Sequence, residues 1–328
     1  MTDHYVVSAR KYRPDTFQSI VGQGAMASTL RTAVLSGKLS HAYLFCGPRG
    51  VGKTTAARVL AKTINCMNLS PEGEACNACE SCRAFNEQRS FNIFELDAAS
   101  NNSVEDIRQL TEQVLMPPAL GRYKVYIIDE VHMLTTEAFN ALLKTLEEPP
   151  AHVVFILATT EPHKVPATIQ SRCQRFDFRR ITVEEIEARL AYVAQEMKIP
   201  CEKEALRLIA HQADGGMRDA LSLLDQCASL DGDTLTAACV EENLGLIGHE
   251  PIYRLTKAIG ERAKGEVLET IAELLALGIP KGPALGACLR ALLNAVLEEP
   301  ARNEKTYLSA HAAAWLEAQK KENGGAVK

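Results

Sequence analysis

In the first 180 residues the apolar positions gather into short, nearly continuous runs separated by longer mixed stretches: His41–Cys46, Phe91–Leu96, Val125–Ile128, Val153–Ala158 and a shorter Arg175–Phe178. Runs of this kind suit strands covered on both faces, so the pattern predicts a five-stranded parallel sheet with helices on both sides. The connections carry helical signals. Ser103-Val104-Glu105-Asp106 reads as a capping box, and Ala138, Leu142, Leu143 and Leu146 repeat at helical spacing before Pro149-Pro150. Residues 1–40 read as a mostly polar lead-in.

Past about residue 180 strand signals give way to a helical period. Thr182-Val183-Glu184-Glu185 forms a capping box ahead of Ile186, Leu190, Val193 and Met197, with Pro200 beyond the end. A second helix is expected over 203–212, stopped by Gly215-Gly216, and a third from Met217 to about Leu230. From Glu241 onward, leucines such as Leu255, Leu268, Leu285 and Leu292 suggest a further all-helical region with a frayed tail over Lys320–Lys328. The expected domains are thus an α/β domain at 1–180, a helical lid at 181–244 and a helical C-terminal region at 245–328. No repeat or low-complexity tract interrupts them.

Composition narrows the picture. At 328 residues and 46% hydrophobic content the chain can build about two or three cored domains. Its net charge of -5 does not supply the basic surface of an autonomous nucleic-acid binder. The longest apolar run, Val153–Ala158, falls far short of the roughly 18 residues of a membrane span. Met1–Arg13 has no signal-peptide stretch, which points to a cytoplasmic location, where ten cysteines favour metal binding over disulfides.

The most specific chemistry lies at Gly47-Pro48-Arg49-Gly50-Val51-Gly52-Lys53-Thr54, which fits G-x-x-x-x-G-K-[ST] between an expected strand and an expected helix that begins with Thr54-Thr55. Glycines let backbone amides close around phosphate oxygens, and the helix N-terminus adds partial positive charge there. Lys53 is expected to reach the β- and γ-phosphates of a bound nucleotide and Thr54 to ligate Mg²⁺. Val125-Tyr126-Ile127-Ile128-Asp129-Glu130 is an apolar strand ending in two acids at the sheet edge where ligands bind. Asp129 suits the Mg²⁺ shell, and Glu130 suits polarising a water for in-line attack on the γ-phosphate. His132 reads as a packing or hydrogen-bonding residue rather than a base.

Cys66, Cys76, Cys79 and Cys82 have the spacing C-x9-C-x2-C-x2-C. Four thiolates can close a tetrahedral Zn²⁺ shell, and the intervening Pro71-Glu72-Gly73-Glu74 cannot build a core of its own. An iron–sulfur reading lacks the downstream C-x3-C-P, and unliganded thiols are the remaining alternative.

Taken together, several segments resemble the ATPase (gamma/tau) subunit family of the bacterial DNA polymerase III clamp loader, within the AAA+ ATPases. The carrying residues are Ala9-Arg10-Lys11-Tyr12-Arg13-Pro14, the phosphate loop, the four cysteines, Asp97-Ala98-Ala99-Ser100, Asp129 to Leu134, Phe139 to Pro150, Leu157-Ala158-Thr159-Thr160, Ser171-Arg172-Cys173 and Gly216 to Leu223. The resemblance covers about residues 5–245 and is weak beyond. It implies ATP, Mg²⁺ and Zn²⁺ as cofactors, with zinc on the four cysteines. Thr160 matches the first nucleotide sensor, Arg172 an arginine finger acting on a neighbouring subunit, and Arg218 a second sensor. Ala9, Pro14, Val21 and Gly22 match the segment beside the adenine. It further implies a pentameric ring with other clamp-loader subunits and copies of itself, a sliding clamp and primed DNA as partners, and a C-terminal collar for assembly. Ser100-Asn101-Asn102-Ser103 and Lys144 are the candidate contacts to the DNA backbone. Two rival readings are a non-hydrolysing scaffold subunit and another AAA+ DNA motor. The intact Lys53, Thr54, Asp129 and Glu130 argue against the first, and the cysteines with Ser171-Arg172-Cys173 against the second.

Overall fold

The computed structural model describes residues 7–101, 104–228 and 234–244, together with single residues between Arg254 and Thr270. The expected C-terminal collar at 245–328 lies outside the described residues almost entirely. The chain divides into two compact units between Val240 and Glu241. The first holds both the sheet and the lid helices.

Its elements in chain order are α1 (Ser8–Lys11), α2 (Gly24–Ser36), β1 (Ala42–Cys46), α3 (Lys53–Ile64), α4 (Glu80–Asn86), β2 (Ile93–Asp97), α5 (Val104–Val114), β3 (Lys124–Asp129), α6 (Thr136–Glu147), β4 (Val153–Thr159), α7 (Ala167–Gln170), β5 (Gln174–Asp177), α8 (Val183–Met197), α9 (Lys203–Gln212), α10 (Met217–Ala228) and α11 (Ala237–Asn243). The five strands are all parallel, in the order β2-β3-β4-β1-β5. β1 and β4 are buried throughout, as their unbroken apolar runs require, whereas the edge strands β2 and β5 expose alternate or successive residues.

Alternation along the central strands splits the core in two. Tyr43, Phe45, Val125, Ile127, Val154 and Ile156 face α2 and α3, where Leu30, Val59 and Leu60 meet them. Leu44, Tyr126, Ile128, Phe155 and Leu157 face Ile107 and Leu110 of α5 and Phe139, Leu142 and Leu146 of α6. This is the three-layer arrangement the strand pattern predicts. Helix starts follow their caps. The Thr135 hydroxyl accepts from the Ala138 amide at 3.2 Å to open α6, and Thr182 and Glu185 exchange both capping-box bonds at the start of α8. Ser103, the expected cap of α5, lies outside the described residues.

α2 was not expected. The lead-in 1–40 reads as polar, yet it contains a helix of 13 residues that buries Ala27 and Leu30. Its sequence GAMASTLRTAVLS is rich in small and hydroxyl residues, so the apolar stripe is too faint to stand out by periodicity.

Two buried side-chain groups, His41 Nε2 and the Tyr126 hydroxyl, have no hydrogen-bond partner among the described residues. The rings of Phe94, Tyr126 and Phe155 stack across β2, β3 and β4 with centroids 5.1 and 5.5 Å apart. The Tyr126 hydroxyl is buried with no hydrogen-bond partner among the described residues, and burial pushes it up to about 12. An unpaired buried hydroxyl costs about 1–3 kcal/mol. Tyr126→Phe keeps the stack and removes that cost, so it is expected to raise unfolding stability by about 1 kcal/mol, or Tm by about 2–4 °C. A lower Tm in thermal unfolding would show that the hydroxyl has a partner. Among the described residues no helix is long and apolar enough to cross a membrane.

Candidate active site

Parallel register brings the carboxyl ends of the central strands to one edge: Cys46 pairs with Thr159, and Asp97 with Asp129. β1 lies between β4 and β5 although the chain visits them later, so the order reverses beside it and a crevice opens there. Three successive segments leave this edge: the loop Gly47–Gly52, the acids Asp129-Glu130, and Thr160.

The loop needs glycine for two different reasons. A side chain at Gly47 (φ 150°) would stand 2.6 Å from the Phe178 carbonyl, so the backbone could not pass there. At Gly52 (φ 101°) there is open space, and the left-handed backbone itself excludes other residues. Gly52 is the N-cap of α3, so the loop runs straight into the helix N-terminus, whose first amides have no partner within the helix and suit an anion. Lys53 is buried, its ammonium donating to the carbonyls of Gly47 at 2.8 Å and Pro48 at 2.7 Å. Burial lowers its pKa, against the pull of Glu130 and Asp129.

Beside it the Thr54 hydroxyl donates to Asp129 Oδ2 at 2.6 Å. A hydroxyl and a carboxylate oxygen meeting at one point form a hard donor set that fits Mg²⁺. Glu130 has φ 47°, a left-handed conformation uncommon for a residue with a side chain. Its Oε2 accepts from the Thr160 amide at 3.2 Å and the Thr160 hydroxyl at 3.0 Å. His132 supports this corner from behind. Its side chain is only 6% exposed, with Nδ1 3.0 Å from Thr159 Oγ1 and 3.4 Å from Glu130 Oε2, and Nε2 3.5 Å from Glu161. Lys164 in turn holds the Glu161 carboxyl below its ordinary range.

A cavity of about 430 Å³ opens over these groups. Of the expected site residues, Ala9, Pro14, Val21, Arg49, Gly50, Val51, Gly52, Lys53, Thr54, Thr55, Asp129, Glu130 and Arg218 line it. Gly47, Pro48, Gly22, Thr160 and Arg172 do not. Gly47 and Pro48 lie behind Lys53, Thr160 behind Glu130, and Gly22 offers its carbonyl to Arg179 Nε at 2.9 Å. Arg172 follows α7 outside the cavity, where it reaches the Thr168 carbonyl and Glu147 Oε1, each at 2.8 Å.

Other lining residues were not expected: Tyr12, Arg13, Ile20, Asp97, Ala99, Ile181, Arg189, Met217 and Leu221. Arg13, Arg49, Lys53, Arg189 and Arg218 thus face Asp97, Asp129 and Glu130, an excess of cations in a chain of net charge -5. Burial and the neighbouring Arg58 lower the pKa of Arg13, whose charge an anion would compensate. Arg13 belongs to the segment Ala9–Pro14, whereas Arg189 on α8 carries no sequence signal. It bonds the Tyr12 carbonyl at 3.1 Å.

The ligand atoms of Cys66, Cys76, Cys79 and Cys82 all lie within 4.8 Å of one another. Successive amides point at the sulfurs, Cys76 N at Cys66 Sγ and Cys79 N at Cys76 Sγ, both at 3.3 Å. The Ala78 and Cys79 amides bring the Cys76 thiol down to about 6, while burial pushes Cys66 and Cys82 up. Four convergent thiols with amide support fit a closed structural Zn²⁺ shell. Of the candidate DNA contacts, Ser100 and Asn101 bond Asp97 and Lys144 is exposed on α6, while Asn102 and Ser103 lie outside the described residues.

Comparison with known proteins adds identity to this geometry. The family model described as DNA polymerase III, delta subunit, matches residues 22–182, and that for the DNA polymerase III clamp loader subunit, ATPase lid domain, matches 185–230. The chain is 49% identical over 280 residues to DNA polymerase III subunit tau of Bacillus subtilis (strain 168), covering 85% of this chain and 49% of that one. It is 47% identical over 276 residues to subunit tau of Escherichia coli (strain K12), covering 84% and 43%. Subunit gamma of Buchnera aphidicola subsp. Baizongia pistaciae is 40% identical over 267 residues, covering 81% and 72%. The chain therefore spans about half the length, or less, of the tau relatives. The solved structure of the Thermotoga maritima RuvB Holliday junction branch migration motor superposes with a TM-score of 0.52 at 21% identity, covering 77% of this chain and 80% of that one. That likeness concerns the fold alone and nothing of the activity.

Proposed function

Because the chain belongs to the gamma/tau family of DNA polymerase III subunits, we propose that it hydrolyses ATP as a clamp-loader ATPase, using the energy to place a sliding clamp on primed DNA. The observation that carries this reading is the meeting of Lys53, Thr54, Asp129 and Glu130 at the floor of one cation-rich cavity, roofed by Arg218 of the lid. A scaffold that only bound nucleotide would have no use for Glu130 held in a left-handed backbone and anchored by Thr160.

In the proposed reaction the loop amides, the α3 N-terminus and Lys53 hold the β- and γ-phosphates. Thr54 and Asp129 would hold Mg²⁺, which neutralises charge developing on the phosphoryl oxygens. Glu130 is fixed through Oε2, and its Oε1 orients the attacking water and draws on its proton. The water oxygen bonds to the γ-phosphorus as the bridging β–γ bond breaks, and ADP leaves. Arg218 would reach the phosphates of its own subunit, while Arg172 would serve the ATP of a neighbour. Ala9, Pro14 and Val21 would border the adenine, with Gly22 behind them. Zn²⁺ on the four cysteines would be structural. The partners proposed are other clamp-loader subunits and copies of this chain in a pentameric ring, the sliding clamp, and the phosphate backbone of primed DNA.

ATP turnover measured with and without sliding clamp and primed DNA tests this function. Stimulation by both supports clamp loading, and turnover indifferent to them overturns it. Lys53→Ala tests the cradle. Losing one charge-assisted contact to phosphate is expected to weaken ATP binding about 10- to 100-fold in calorimetry, and near-normal affinity would remove the phosphate-loop assignment.

A further inference from the structure

The segment from Tyr12 to Val21, which follows α1 and supplies one wall of the cavity, is a strap with no helix or strand of its own, and it is tied to different parts of the fold. At the α1 end the Ser8 amide donates to Asp225 of α10 at 2.7 Å. The other end is tied to the cysteine loop. Glu74 accepts from the Phe17 amide at 2.8 Å through Oε2 and from the Gln18 amide at 3.0 Å through Oε1. Asn77, between Cys76 and Cys79, donates to Asp15 at 2.9 Å and accepts from Lys62 at 2.6 Å. Lys62 is buried on α3, the helix whose N-terminus carries the phosphate loop. The cysteine loop therefore bridges the strap and the phosphate-binding helix.

We propose that the cysteine loop braces the nucleotide cavity, with Glu74 as the positioning residue that holds the strap in its binding conformation. The proposal rests on the nucleotide-binding reading above. Residues 66–82 form only the short helix α4 and turns, so their shape depends on what joins the four thiols. A metal there fixes the backbone on either side of Glu74 and Asn77. Those side chains then fix Asp15, Phe17 and Gln18, one to three residues from the nearest wall residues, Pro14 and Ile20. If the strap is held in place for only a fraction of the time, the apparent affinity for nucleotide falls by that fraction. Zinc loading and nucleotide affinity are coupled through this carboxylate although their sites share no residue.

The test measures calorimetric affinity for MgATP, zinc content and Tm on the intact chain, the Glu74→Ala variant and the Glu74→Gln variant. Alanine removes both acceptors and glutamine keeps one. Affinity is expected to fall about tenfold in Glu74→Ala and about threefold in Glu74→Gln, with full zinc in both. Stripping zinc with a chelator is expected to weaken binding about tenfold in the intact chain and far less in Glu74→Ala, whose strap is already released. Equal affinity in all three zinc-loaded proteins overturns the brace, as does a chelation effect of the same size with and without Glu74. If Glu74→Ala loses its zinc, Glu74→Gln decides by the same criteria. An intact chain that binds no MgATP overturns the nucleotide reading instead, which separates the two failures.

Discussion

Glu130→Gln is expected to lower ATP turnover about 10²- to 10⁴-fold while leaving ATP affinity within about twofold of the parent chain, the range for loss of a positioned base. Glutamine has the same shape and meets the left-handed backbone at residue 130 no worse than glutamate does. Its amide oxygen can still accept from Thr160, so the corner built by Thr160 and His132 should keep its geometry. What is lost is the negative oxygen proposed to draw on the water's proton. In the proposed reaction Lys53, Thr54 and Asp129 would still hold the nucleotide, so the variant should accumulate as an ATP-bound species. Single-turnover kinetics with labelled ATP separate binding from cleavage. Turnover within about threefold of the parent would assign the base elsewhere and leave Glu130 a structural partner of Thr160.

Much of this arrangement could be read before any coordinates. Strands buried on both faces advertise themselves by unbroken apolar runs, so each of the five expected strands lies within two residues of its place. The phosphate loop is legible because its glycines answer steric demands that admit no other residue, as at Gly47 and Gly52. The helix α2 was missed because alanine, serine and threonine bury without marking a face. The cavity wall was only half legible. Ala9, Pro14 and Val21 came from resemblance, but Arg189 sits on the polar side of an amphipathic helix and reads as a solvated charge until the fold sets it beside Tyr12. Glu74 is equally silent, since an acid in a loop declares nothing of the amides it will meet 57 residues earlier. Long-range hydrogen bonds have no period, and period is what sequence displays.

Arg172 is the case where geometry within one chain and the proposed chemistry diverge most, and the divergence is informative. Its guanidinium lies outside the cavity, paired with Glu147 where both side chains are partly exposed, 34% and 50%. An exposed pair of this kind is worth little, about 0–1 kcal/mol, so the fold depends little on it. A finger meant for a neighbour's nucleotide would sit just so, on the surface and lightly held. Arg172→Ala is accordingly expected to leave folding and ATP affinity unchanged and to lower hydrolysis in the assembled ring about 10³-fold, the lower range for a transition-state arginine supplied in trans. The isolated chain should show no change in its slow basal rate. Mixing decides whether the role is shared between subunits. An interface pairing the intact Glu130 of an Arg172→Ala subunit with the intact Arg172 of a Glu130→Gln subunit holds a complete site. A mixture of the two inactive variants should therefore recover measurable turnover that neither shows alone. Absence of recovery in rings of verified mixed composition would confine catalysis to one chain and leave Arg172 a surface residue.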